Sequence, residues 1–157
     1  MHTRREILAA LAAVPSVVVA EDKPNFSGRW RLDPARSSRE APASLTETID
    51  HRDPVIRIDS DWDRNTATGL TNAALLAPSL QLIANGTEVT NSMPLGMMLL
   101  GKSRWNSQAL VTEWRLEGMK VPLSGTWRRR MNGADMIVDA TTQPGGARRF
   151  VFTRANP

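Results

Sequence analysis

From Asn25 to Leu32 the chain reads N-F-S-G-R-W-R-L, with Phe26, Gly28, Trp30 and Leu32 on one face of an extended segment and Ser27, Arg29 and Arg31 on the other. Side chains alternate across a strand with period two, so this stretch predicts a strand with one buried and one solvated face. Gly28 puts no side chain on the inner face, which leaves room for a backbone or a large ring to approach. Asp33-Pro34-Ala35-Arg36-Ser37-Ser38 is turn chemistry, and the chain to Pro42 has no apolar period.

The alternation then recurs. Leu45–His51 predicts a strand and Asp53-Pro54 a turn. Val55–Trp62 predicts a strand with Ile56, Ile58 and Trp62 on one face and Arg57, Asp59 and Asp61 on the other. Ser79–Ala84 and Thr87–Ser92 flank Asn85-Gly86, a two-residue hairpin signal. Gly96–Trp105 is apolar and then polar. Ala109–Glu117 sets Leu110, Trp114 and Leu116 against Val111, Glu113, Arg115 and Glu117. Leu123–Met131 and Asp135–Thr142 flank a second hairpin signal, Asn132-Gly133. Pro144-Gly145-Gly146 turns the chain into Arg148–Arg154, where Phe150 and Phe152 share a face. Over Arg64–Pro78 the pattern allows two readings, a short Ala73–Ala77 helix capped by Asn72 and ended by Pro78, or a strand plus a loop. Eight to ten short strands with evenly spaced turns and almost no helix predict an all-β barrel or sandwich.

The first twenty residues depart from this pattern. Met1–Ala20 has a basic start, an apolar stretch from Ile7 and a small-residue end at Val18-x-Ala20. That is the plan of an export signal, with residues 21–25 as a linker and 26–157 as the folded domain. The apolar stretch is short for a membrane span and Pro15 interrupts it. Thr3-Arg4-Arg5-Glu6-Ile7-Leu8 resembles the twin-arginine export motif, with Ile where Phe is usual and Ala9 where Lys is common. A cleaved leader predicts a periplasmic or secreted bacterial protein with no membrane span. The competing reading is a buried N-terminal helix.

Composition removes several chemistries. The chain of 157 residues contains no Cys, which excludes disulfides, thiolate metal sites and Cys nucleophiles. Its formal charge is +4, and the basic runs Arg128-Arg129-Arg130 and Arg148-Arg149 read as solvated strand faces rather than a nucleic-acid surface. His51 is the sole His outside the leader, and no Gly-x-Ser-x-Gly elbow accompanies it. A turn-end His oriented by Asp53 fits better than a catalytic base. Asp59, Asp61, Asp63 and Asn65 alternate like the start of a calcium loop. The glycine position holds Arg64 and the terminal Glu position holds Leu70, so carboxylates on a wet strand face are the better account. No metal, cofactor or catalytic residue is assigned.

The residues resemble a family. N-F-S-G-R-W-R-L is similar to the Gly-x-Trp first strand of lipocalins and fatty-acid-binding proteins, and the terminal R-R-F-V-F-T-R to their closing strand. More closely, the chain resembles lipocalin-like secreted proteins of soil bacteria. The shared pattern runs through Phe26 to Ser37, His51-Arg-Asp-Pro54, Asn85-Gly-Thr-Glu88, Trp105 to Val111 and Val151-Phe152. The hairpin carries Asn for the usual Asp, and Asn106-Ser107-Gln108 replaces a D-G-D turn. The resemblance implies a calycin-type barrel around a small-ligand cavity and no known reaction. Phe26, Gly28, Trp30 and Arg154 are its structural signature, with Trp30 plugging one end and Arg149 or Arg154 lying over its ring.

An exported protein that binds a small lipophilic ligand is therefore expected. Strand alternation places Trp62, Leu110, Trp114 and Met136 inside, with Trp105 beside its turn and Met97 in an apolar flap, and these six are the candidate ligand-binding residues. Soft Met side chains suit either an irregular core or an adaptable pocket. The competing class is an envelope interaction domain with a filled barrel. An enzyme on the same fold comes third, because acid–base candidates are few.

Overall fold

A computed structural model describes residues 22–62 and 77–156. The expected leader, the segment carrying Asp63 and Asn65, and residues 73–76 of the helix reading lie outside the described residues.

Among the described residues, ten strands follow the alternation almost residue for residue. They are β1 (Gly28–Leu32), β2 (Leu45–Arg52), β3 (Val55–Trp62), β4 (Ser79–Ile83), β5 (Asn85–Ser92), β6 (Met98–Asn106), β7 (Ala109–Glu117), β8 (Leu123–Asn132), β9 (Asp135–Gln143) and β10 (Ala147–Arg154). All ladders are antiparallel, and the strand order is β4-β3-β2-β1-β10-β9-β8-β7-β6-β5. The chain thus winds up and down into one nearly closed antiparallel β-barrel, a lipocalin-like architecture. The described residues contain one 3₁₀ turn, Pro94–Gly96, and no α-helix.

Closure runs through β1, which pairs with β2 on one side and β10 on the other, with Trp30 opposite both Glu47 and Arg154. The interior is one continuous apolar cluster that includes Trp30, Ile58, Leu110, Trp114, Met136, Phe150 and Phe152. The Asn132-Gly133 hairpin forms, with Asn132 opposite Asp135 and Gly133 at φ 61°. The Asn85-Gly86 signal does not mark a hairpin. Asn85 is already paired with Arg104 of β6, Gly86 sits at φ 88° beside the register shift between Asn85 and Glu88, and the corner is Ala84. Consecutive strands β4 and β5 therefore share no ladder. The Asn91 amide spans that seam, its Oδ1 accepting from the Gln81 N–H at 2.7 Å and its Nδ2 donating to the Gln81 carbonyl at 3.1 Å. A side-chain amide here does what a facing strand would do for an edge.

Candidate functional site: the barrel interior

At one end the barrel is sealed by the approach to β1. Phe26 and Trp30 are fully buried. The Trp30 indole N–H donates to the Phe26 carbonyl at 2.8 Å. As the resemblance implies, Arg154 covers the Trp30 ring, its guanidinium carbon 4.4 Å from the centroid, while Nη1 donates to the Ser27 carbonyl at 3.1 Å. What uses the room at Gly28 is neither backbone nor ring. Gly28 sits at φ 132°, and a Cβ there would lie 2.5 Å from Arg154 Nη1.

His51 belongs to the same seal. Its ring stacks with Phe26 and Trp105, and Nδ1 accepts the Phe26 N–H at 3.1 Å. The Trp105 indole N–H donates to Asp53 at 3.1 Å, and Lys23 lies over the Trp105 ring. Burial pushes the His51 pKa below its ordinary 6.5, and the Asp53 carboxylate opposes that only in part. The imidazole is therefore neutral and works as an acceptor. His51 is held by the Phe26 N–H and the two flanking rings, with its Nε2 3.7 Å from Asp53 Oδ1.

Further in, the wall is apolar with a few polar points. Leu110, Trp114 and Met136 are brought together in the core, Trp62 packs against it partly buried, Trp105 lies in the sealed end, and Met97 sits in the β5–β6 turn at the other end. Trp114 stacks on Trp127 with centroids 5.5 Å apart. Gly125, opposite Trp114, leaves space for that ring, since a Cβ there would lie 2.8 Å from Trp114 Cζ2 and overlap the Thr141 carbonyl. Ser103 and Thr112 share a buried hydroxyl–hydroxyl hydrogen bond of 2.8 Å. Two inward polar atoms, Trp114 Nε1 and Ser60 Oγ, have no partner among the described residues.

The pattern of residues conceals one feature. Arg129 is not on a solvated face. It alternates inward with Trp127 and Met131, is 5% exposed, and pairs with Glu47, which is 1% exposed. Arg129 Nη1 donates to Glu47 Oε2 at 2.6 Å and Nη2 to Oε1 at 3.4 Å, and Met136 Sδ lies 3.1 Å from Nη1. Glu47 is on β2 and Arg129 on β8, with β1, β10 and β9 between them around the wall, so the pair crosses the interior. The signal is present in the alternation Leu45, Glu47, Ile49, His51 and in Trp127, Arg129, Met131. A charge run reads as surface because long charged side chains are almost never fully buried unless paired.

No protein-family model matches the chain, and no curated protein matches it. Solved structures do. The apo lipid binding protein 8 of Caenorhabditis elegans superposes with a TM-score of 0.59 at 11% identity, covering 83% of this chain and 95% of that one. Human cRBP IV gives 0.59 at 12% identity, covering 84% and 99%. The REP1-NXSQ fatty acid transporter gives 0.57 at 10% identity, covering 83% and 96%. At these identities the likeness establishes the fold, an antiparallel lipocalin-like β-barrel, over nearly the whole of each neighbour.

Proposed function

We propose that the barrel encloses a small apolar or amphipathic molecule and does so without chemical turnover. The observation that carries this reading is the pair of inward groups, Trp114 Nε1 and Ser60 Oγ, that have no partner among the described residues in a largely apolar wall. Buried polar groups are nearly always hydrogen-bonded, so each calls for a water or a ligand atom. The neighbours named for lipid binding and fatty acid transport support the same reading. Export belongs to it as well: cleavage after Ala20 would leave Glu21 as the N-terminus of a periplasmic or secreted protein, and N-terminal sequencing of the exported form tests that. Retention of Met1 in a cytoplasmic form refutes it.

The decisive experiment is a titration of the protein with a panel of lipophilic fluorophores, read by Trp emission. A bound lipophile quenches or shifts the emission. Trp114→Ala or Met136→Ala weakens binding while far-UV circular dichroism stays unchanged.

A second reading has its own support. Trp30, Leu110, Met136, Val138 and Phe152 are at most 1% exposed, so this part of the interior is close-packed in the present conformation. Leu95, by contrast, is 96% exposed on the β5–β6 turn. A panel with no effect on Trp emission would replace the binding reading with a filled-barrel interaction domain, whose first surface to test is Pro94–Leu100.

A further inference from the structure

We propose that Glu47 sets the class of molecule the barrel takes: by holding the Arg129 charge it reserves the interior for lipophiles with an uncharged, hydroxyl-type head and turns away carboxylates. This rests on the binding reading above. An unpaired arginine inside an apolar barrel would attract an anionic head strongly, because charge-assisted bidentate contacts are among the strongest a protein makes. Here both guanidinium contacts of that kind are already made by Glu47. A fatty acid reaching Arg129 would have to displace Glu47, and would leave a second carboxylate enclosed beside the first.

The surroundings of the pair suit a neutral head. Ser60 stands opposite Glu47 across the β2–β3 ladder. Directly paired residues on one face have Cβ atoms about 4.5–5.5 Å apart. The Ser60 hydroxyl has no partner. A carboxylate has about four lone-pair positions, so Glu47 can accept a further donor while bonded to Arg129. A ligand hydroxyl can donate to Glu47 and accept from Ser60 in one geometry. An ionised carboxylate head has no proton to donate. Met136 is the neighbour that yields space, since its sulfur touches Arg129 and its side chain is unbranched and adaptable.

The test uses three probes with one pyrene-labelled chain and different heads, a long-chain alcohol, the fatty acid and its methyl ester, titrated at neutral pH into wild type, Glu47→Gln and Ser60→Ala. The wild type is expected to bind the alcohol at least about tenfold more tightly than the acid, a difference of about 1.4 kcal/mol. In Glu47→Gln the guanidinium is released and acid affinity rises by roughly 100-fold. Ser60→Ala weakens the alcohol several-fold. Equal wild-type affinity for acid and alcohol overturns this inference and leaves the binding reading standing. Were Glu47→Gln not to fold, the wild-type comparison and Ser60→Ala still decide. A wild type that binds none of the three refutes the binding reading, and this inference falls with it.

Discussion

The Glu47–Arg129 pair makes an energetic prediction that needs no ligand. Taking two charges out of water costs several kcal/mol each, and their attraction recovers this only while both are present. The two side chains are 2% and 6% exposed, so neither can rehydrate in place if its partner is removed. Arg129→Met strands a carboxylate and Glu47→Leu strands a guanidinium, and each is expected to cost about 3–5 kcal/mol. The double variant Glu47→Leu/Arg129→Met replaces the pair with apolar groups of similar bulk, and its stability should match the wild type or exceed it by about 1–4 kcal/mol. The outer face supplies a control. Arg149 Nε meets Asp139 Oδ1 at 2.6 Å, the same distance, but the two side chains are 54% and 31% exposed. Breaking that pair should cost about 0.2–1 kcal/mol. Urea unfolding followed by Trp emission, with equal slopes among variants, reads all of these differences. If Arg129→Met and Arg149→Ala lose the same small amount, below about 1 kcal/mol, then the interior pair is hydrated and the argument from burial is wrong.

Three further outcomes are expected. Trp30→Ala should cost about 3–5 kcal/mol in urea unfolding, as truncation of a fully buried aromatic does, and a loss below about 1 kcal/mol would show that Trp30 is not the plug. Because the folded His51 pKa lies below its ordinary 6.5, the unfolded chain binds the extra proton first. Stability should be whole above that value and fall as the pH drops below it, by at most about 1.4 kcal/mol per pH unit. His51→Gln should flatten stability between pH 7 and 5, and an unchanged slope in that variant would assign the effect to other groups. Gly125→Ala drives a methyl into the Thr141 carbonyl and the Trp114 ring, so it should cost at least about 1–3 kcal/mol and shift Trp emission, whereas near-wild-type stability would mean β8 and β9 move apart freely.

Strand positions were readable because one buried face imposes a period of two, and a slip of one residue would turn the whole apolar set outward. The pairing of consecutive strands was less readable. Asn132-Gly133 and Asn85-Gly86 are equivalent as local turn chemistry, yet only the first joins laddered strands. Asn85 is committed to Arg104 on β6, and the Ala84 N–H goes to the Pro54 carbonyl, so the chain corners there without pairing back. Such a difference is set by contacts far away in sequence and cannot be seen in a dipeptide. Trp30 under Arg154 was legible through resemblance to a first-strand motif. The polar interior was not, for a related reason. Arg128, Arg129 and Arg130 look alike as a run, but the alternation splits them, sending Arg129 in and Arg128 out. A charge on the inner face is tolerable only if a partner waits across the barrel, and Glu47 is 82 residues away.

The two ends of the barrel differ in what opening them would break. At the sealed end, Trp30 to Phe26, Phe26 to His51, Trp105 to Asp53 and Arg154 to Ser27 form linked hydrogen bonds, three of which involve rings also held by stacking or by a cation. Opening there would strand two buried donors at once, the Trp30 indole N–H and the Phe26 N–H, each at about 1–3 kcal/mol. Along the seam between β4 and β5, the hydrogen bonds among the described residues that join the wall are the two of one side chain, Asn91. That seam runs between strands whose backbones are otherwise unpaired to each other, so parting them costs no ladder bonds. Net hydrogen-bond contributions are about 1 kcal/mol each, which makes such parting a fluctuation rather than an unfolding event. A close-packed interior and an exchangeable ligand are then compatible: the inner side chains can hold the barrel closed when it is empty, and the unladdered seam is separated by β4 alone from β3, whose Ser60 faces Glu47.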